Sequence, residues 1–327
     1  MNSKTNSDKR GDTRADTRAD TRADTLTDAC SDTHLILVII SGNEKEALKC
    51  IYQPEIVNKY GDTALLLSIH YNMEKLAIAI LKTGNANPSH IDSHGNSALT
   101  LAIKKNLESV ALEIIDNYKD YNINHIDKHF DSALTISLRM NMHKVANKLI
   151  DNPLCNLSYS DGHGDTPLII AIDMGYNNSL LKKLVKNNLS NPIHINKHGF
   201  TALLLALCKD NREIALLLVK TNKSIPFYTG NTGDNALILA LSKGYEDVVS
   251  EIIKTCSSSH KIALSHINNN GDTALLLALS NGYENIAEYL INNNNINNYH
   301  INKSGDTALL IALGKEYKNI AYKLIKK

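Results

Sequence analysis

Thirteen histidines stand in this 327-residue sequence, and most of them fall at fixed distances from one another. His90, His125, His194, His266 and His300 hold one recurring place, with Ile56, Tyr159 and Tyr228 completing the column where His is missing. Four residues further on, His94, His129, His163 and His198 form a second column. An imidazole can ligate a metal, carry a proton near neutral pH, or hydrogen-bond through either ring nitrogen. The pairs His90/His94, His125/His129 and His194/His198 can each chelate across a turn, which makes a metal-binding or metal-dependent protein the alternative reading. No Cys or carboxylate completes a tetrahedral donor set beside them. The plainest reading is a turn residue satisfied locally and copied by duplication. A third is a protein-binding edge, with His90, His125, Tyr159, His194, Tyr228, His266 and His300 as the candidate contacts. No residue is assigned as catalytic or as a metal ligand, and no cofactor is expected.

Other chemistry is hard to find. The sequence contains no P-loop, G-x-G-x-x-G, H-E-x-x-H or G-x-S-x-G. Every Gly-Asp-Thr looks like a structural helix start, and no unrepeated group of acid, base and nucleophile stands out, so the chain is not expected to be an enzyme. Lys and Arg (35) nearly cancel Asp and Glu (34), leaving a formal charge of +1. Such balance gives no electrostatic reason to expect nucleic acid or an anionic membrane as partner. Five scattered cysteines without a C-x-x-C suit a reducing, cytoplasmic setting. The apolar run Leu35–Ile40 is far shorter than the roughly 20 residues that span a bilayer.

The elements that would position the histidines repeat as well. Ala64, Ala98, Ala133, Pro167, Ala202, Ala236, Ala274 and Ala308 open similar blocks at spacings of 34, 35, 34, 35, 34, 38 and 34. A degenerate copy, "DTHLILVIISGNEKEALKCI", precedes them with Thr33, Gly42 and Ala47 in register. Each block reads as two short helices. In the eighth, Asp272-Thr273 supplies an N-cap, "ALLLALSN" a helix of about two turns, and Gly282 a left-handed stop. Elsewhere that stop is Asn72, Asn106, Asn141, Gly175, Asp210 or Gly244, whereas Glu316 predicts strain or a different turn. The second helix carries one apolar stripe, as in Ile286, Ala287, Leu290 and Ile291. Between blocks runs a polar turn with Asn or Asp three residues before the Gly: Asn58, Asp92, Asp161, Asn196, Asn268 and Asn302.

On these residues the chain resembles the ankyrin repeat family, with "GDTPLIIAIDMG" (164–175) the best match to its T-P-L pattern. The resemblance covers Asp32 to Lys327 in nine units and implies an all-α solenoid. In the family a His usually follows T-P-L and links neighbouring turns; here stand Leu66, Thr100, Thr135, Ile169, Leu204, Ile238, Leu276 and Leu310. Apolar contact is expected to replace those bonds. Helix one carries a large residue (Ile69, Ile103, Leu138, Ile172, Leu207, Leu241, Leu279 and Leu313) where the family usually has a small one. Helix two mostly carries Ala (Ala77, Ala111, Ala146, Ala215, Ala287 and Ala321) where the family usually has Val. The two sets are expected to face each other and conserve core volume.

Residues 1–31, with "DTRADTRADTRADT", have almost no apolar content, which predicts a disordered low-complexity tail before an array over 32–327. The resemblance implies a monomeric, non-enzymatic protein-interaction scaffold, its partner another protein. Contacts are expected on the turn tips and on His70, Lys104, Arg139, Asp173 and Lys209 of helix one. Runs such as "INNNNINN" suggest AT-rich coding. That style is similar to ankyrin proteins of large DNA viruses and intracellular bacteria, which implies a host-directed protein in the host cytoplasm.

Overall fold

A computed structural model describes residues 34–51, 57–255, 264–292 and 296–326. The low-complexity segment 1–31 and Ile56 lie outside the described residues, as does part of the Asn-rich run. Eighteen α-helices form among the described residues, with isolated antiparallel bridges between them and no extended strand. They make nine pairs. Repeat 1 is the short pair His34–Ile40 and Glu44–Ala47; repeats 2 and 3 are Ala64–His70 with Glu74–Lys82, and Ala98–Lys104 with Glu108–Asn117. Repeats 4, 5 and 6 are Ala133–Arg139 with His143–Asp151, Pro167–Asp173 with Asn178–Lys186, and Ala202–Cys208 with Arg212–Lys220. Repeats 7, 8 and 9 are Ala236–Ser242 with Glu246–Lys254, Ala274–Ser280 with Glu284–Ile291, and Ala308–Gly314 with Lys318–Lys326.

Each helix one packs on its own helix two and on helix one of the next repeat, so burial is shared only between neighbours. Seven residues cannot hold a helix in water by themselves. They hold here because almost every side chain of helix one is buried, as Leu65, Leu66, Leu67, Ser68 and Ile69 are in repeat 2. The start is fixed by the Thr, Ser or Asn before it. Thr63, Thr201, Thr273 and Thr307 each accept the backbone N–H of the third helical residue, and Ser97 and Ser132 form reciprocal caps with Thr100 and Thr135. Thr273 rather than Asp272 is therefore the cap.

The stop is left-handed at every expected position, from Asn72 at φ 57° to Gly282 at 81°. Glu316 adopts φ 62° and keeps the same closing bonds, Glu316 N–H to Leu313 O and Tyr317 N–H to Ala312 O. That last turn is strained and otherwise built like the rest.

The expected volume pairs are both buried in repeats 2, 3, 4, 6 and 8: Ile69 and Ala77, Ile103 and Ala111, Leu138 and Ala146, Leu207 and Ala215, Leu279 and Ala287. Repeat 9 departs. Leu313, equivalent to the 0% exposed Leu279, is 56% exposed there, and Leu310 and Ile325 are exposed beside it. No helix of the described residues is long and apolar enough to cross a membrane.

Candidate partner-binding edge

In seven of the repeats the opening turn is built by one side chain, while repeat 7, with Gly230 at that place, closes its turn through backbone bonds alone. Asp92 Oδ1 accepts the N–H groups of His94 (2.9 Å) and Asn96 (2.7 Å), and Asn58, Asp161, Asn196, Asn268 and Asn302 do the same in their turns. Bridges such as Ile91 to Ser97 close the hairpin. Asp127 is a seventh member of this set, missed in the sequence because Phe130 occupies the Gly place of its turn. Phe130 takes φ 64° and leaves its ring 65% exposed. A bulky residue in left-handed conformation costs about 1–2 kcal/mol. Phe130→Gly is expected to raise stability by about 1 kcal/mol, allowing for the extra freedom of Gly in the unfolded chain. Equal or lower stability in thermal unfolding would mean that the ring packs more than its exposure suggests.

The structure gives the first His column a definite partner. Nε2 lies 2.6 Å from Gly61 O in His90, 2.8 Å from Gly95 O in His125 and 2.8 Å from Gly164 O in His194. In His266 and His300 it lies 2.7 Å from Gly233 O and Gly271 O. A carbonyl oxygen can only accept, so Nε2 carries the proton and donates in every case. Each ring thus reaches back to the preceding turn. Tyr159 does the same with its hydroxyl, donating to Phe130 O at 3.0 Å, and Tyr228 is half-buried against the core. The family's inter-turn hydrogen bonds are therefore supplied from a different position, and apolar contact at Leu66 and its equivalents is only part of the replacement.

A second ladder runs beside the first. Lys197 Nζ donates to Gly162 O at 2.6 Å, Asn231 Nδ2 to His198 O at 2.9 Å and Asn269 Nδ2 to Thr232 O at 2.8 Å; Lys128 reaches Ser93 O and Lys303 reaches Asn269 O. Tyrosines make a third link further in. Tyr176 donates to Leu138 O (3.1 Å) and Tyr245 to Asp210 (3.1 Å), and burial pushes the Tyr176 phenol up to about 12. The Cys155 thiol is likewise pushed up to about 12 by burial, which suits a core filler and not a nucleophile.

The second His column behaves differently. His94, His129, His163 and His198 are exposed at the turn tips. His90 and His94 cannot close on one ion through Nε2 while that atom of His90 is spent on Gly61. Among the described residues no group of three His, Cys, Asp or Glu side chains is placed to hold a metal.

Behind the tips lies a charged seam. Lys104 pairs with the wholly buried side chain of Asp127 at 2.6 Å, although Asp127 Oδ2 makes no hydrogen bond of good geometry. Arg139 spans Asp161, Nε to Oδ2 3.1 Å, and Asp165, Nη2 to Oδ2 3.0 Å. Asp173 pairs with Lys209 at 2.8 Å. Lys209 is the residue after helix one, and Cys208 holds the place equivalent to Arg139 and Asp173, so the expected register was off by one in repeat 6.

Two carboxyls of this seam are displaced in opposite directions. Burial alone would raise Asp127, but the Lys104 ammonium and the N–H groups of Asp131 and His129 outweigh it and hold the group low. Asp131 is pushed up, first by burial and then by the carboxylates of Asp127 and Asp161, against a weaker pull from Arg139 and Thr135. The signs are opposite in stability too. Asp127 contributes stability above the unfolded carboxylate value, about 4, and loses it as pH falls through its lower folded value. Asp131 costs stability once pH rises past its raised folded value, and the cost disappears on protonation. Asp131→Asn is thus expected to raise the unfolding midpoint at neutral pH and to change nothing below about pH 4. An equal gain at both pH values would mean that charge is not the cause.

A family model described as ankyrin repeats (3 copies) matches residues 134–226, 175–263, 223–300 and 251–327, which together cover 134–327, more than half of the chain. No curated protein sequence matches. Among solved structures, the ankyrin repeat domain of Bcl-3, described as a unique member of the IkappaB protein family, is similar at 19% identity and TM-score 0.49. That match covers 71% of this chain and 99% of that one. EF0377, an ankyrin repeat protein, is similar at 18% identity and TM-score 0.39, over 67% of this chain and 96% of that one. The period, the left-handed stops and the family match agree: this chain belongs to the ankyrin repeat family, whose arrays are protein-interaction domains.

Proposed function

We propose that this chain is a non-enzymatic, monomeric scaffold that holds another protein along the turn edge and the adjoining ends of helix one. The observation that carries the reading is where the repeat pattern breaks. Core positions are nearly constant, whereas Tyr60, Phe130, Met140 and Met174, at places where the other repeats vary, put large side chains into solvent on this edge or at helix-one ends. Exposed apolar groups rimmed by polar ones favour a protein partner. His90, His125, Tyr159, His194, Tyr228, His266 and His300 belong to the same edge. With Nε2 or hydroxyl turned to the preceding repeat, the bonded members offer a partner the rest of the ring while holding the tips in place. The near-neutral charge supports a protein over a nucleic acid. The Asn-rich, AT-biased sequence supports a host-directed protein of a large DNA virus or intracellular bacterium, acting in the host cytoplasm.

The test is selection of displayed host-protein fragments on the folded array, followed by hydrogen exchange of each complex. Protection should gather on the turns and helix-one ends of repeats 3 to 6. Protection confined to the outer face of the second helices, or no enriched fragment at all, would overturn the reading.

A further inference from the structure

The turn residue after the Gly place is acidic or Asn in seven of eight turns: Asp62, Asn96, Asp131, Asp165, Asp234, Asp272 and Asp306. In repeat 6 it is Phe200. Beside that exception the structure opens a cavity of about 280 Å³ between repeats 5 and 6. Its floor is apolar, from the buried Ile169 and Leu205, and Phe200 forms one wall. Asp165 and Asp173 line the other sides, with Arg139 and the exposed tips His163 and His198 at the margin.

The charges in this cavity are unequal. Arg139 is the one cation among the lining residues, and it is already held by Asp161 and Asp165. Asp165 already has a partner on each oxygen, Arg139 on Oδ2 and the Asn196 amide on Oδ1 at 2.7 Å. Asp173 is not: Lys209 meets Oδ1, and the carboxylate is about half exposed. Counting Asp161, Asp165 and Asp173 against Arg139 and Lys209 leaves one net negative charge. An apolar floor, an aromatic wall and one underused carboxylate at the mouth suit a long side chain with a methylene stem and a cationic head.

The geometry points to this cavity as the seat of a cationic side chain, arginine or lysine, presented by the partner polypeptide. The assignment rests on the scaffold reading above and narrows it to one anchor. The stem lies on Ile169, Leu205 and Phe200, and the head meets Asp173. Placing the anchor where the repeat departs from its own pattern gives an otherwise uniform edge a preferred register for its partner.

Methyl NMR of Ile169 and Leu205 tests it directly. N-acetyl-arginine methylamide and its lysine counterpart are titrated into the intact chain beside the neutral citrulline analogue. A saturable shift of these methyls by one or both cations is expected, with citrulline and the Asp173→Asn variant each weaker by about tenfold. Which cation binds tighter identifies the side chain. Equal binding of citrulline, unchanged binding by Asp173→Asn, or no saturable shift would overturn the proposal. If the cations fail while selected fragments still protect the turn edge, the cavity falls and the scaffold stands. If the cations bind and no polypeptide does, the assignment to a partner side chain falls with the scaffold.

Discussion

Changing His90, His125, His194, His266 and His300 together to Ser is expected to cost roughly 5 kcal/mol of array stability. Each ring donates one half-buried bond to the carbonyl of the preceding turn. A bond of that kind contributes about 1 kcal/mol net, and sites in separate repeats add approximately. The loss is concentrated at interfaces, because a solenoid has only nearest-neighbour coupling. Ser is too short to reach back, so five carbonyls lose their donors. Tyr159 supplies the control, since its hydroxyl makes the same link to Phe130 O. Changing the five histidines to Tyr should therefore keep most of the stability that Ser loses. Denaturant unfolding followed by circular dichroism reads both variants. Should the Ser variant unfold within a few tenths of a kcal/mol per site of the parent, the ladder is incidental. The same comparison governs any binding experiment on this column. Loss of a partner by the Ser variant reports on recognition only if the Tyr variant, folded and with altered rings, loses it as well.

The helices were legible in the sequence because their signals are local. Thr and Ser caps, the Asn and Gly stops, and the stripe of helix two act within a few residues of one another, and all appear where their spacing places them. The His column was visible as a pattern, but not its purpose. Whether a ring faces solvent, a metal or the preceding turn depends on how two repeats stack, and stacking joins residues about thirty apart. The backward reach of Lys197 and Asn231 was hidden for the same reason. Phe130 concealed Asp127 because the turn was recognised by its Gly, whereas the structure shows that the Asx side chain defines it. Phe200 is visible in the sequence as an exception to its column, but the cavity beside it is formed only where repeats 5 and 6 stack. What repeats is read easily. What departs from the repeat can be seen in the sequence too, but what the departure makes needs the stacked repeats, and the proposed anchor lies there.

Leu279→Ala is expected to destabilise the chain by about 2–5 kcal/mol, the cost of a core cavity that its surroundings cannot fill. Leu279 is wholly buried, and so is Ala287 on the second helix of the same repeat. A small residue there leaves nothing to lean into the gap. Leu313→Ala makes the same chemical change at the equivalent place in repeat 9, where the side chain is 56% exposed, and should cost well under about 1 kcal/mol. The pair separates burial from helix propensity, since both replacements gain equally from Ala in a helix. Exchanging the volumes, Leu279→Ala with Ala287→Leu, tests whether the two positions face each other. Recovery of half or more of the loss means that they do, because volume moves across the interface instead of vanishing. No recovery, or a further loss from overpacking, would place the positions against different neighbours. Hydrogen exchange should show the single variant's damage in repeats 7 to 9 and leave repeats 2 to 4 as protected as in the parent, because each repeat supports only those beside it.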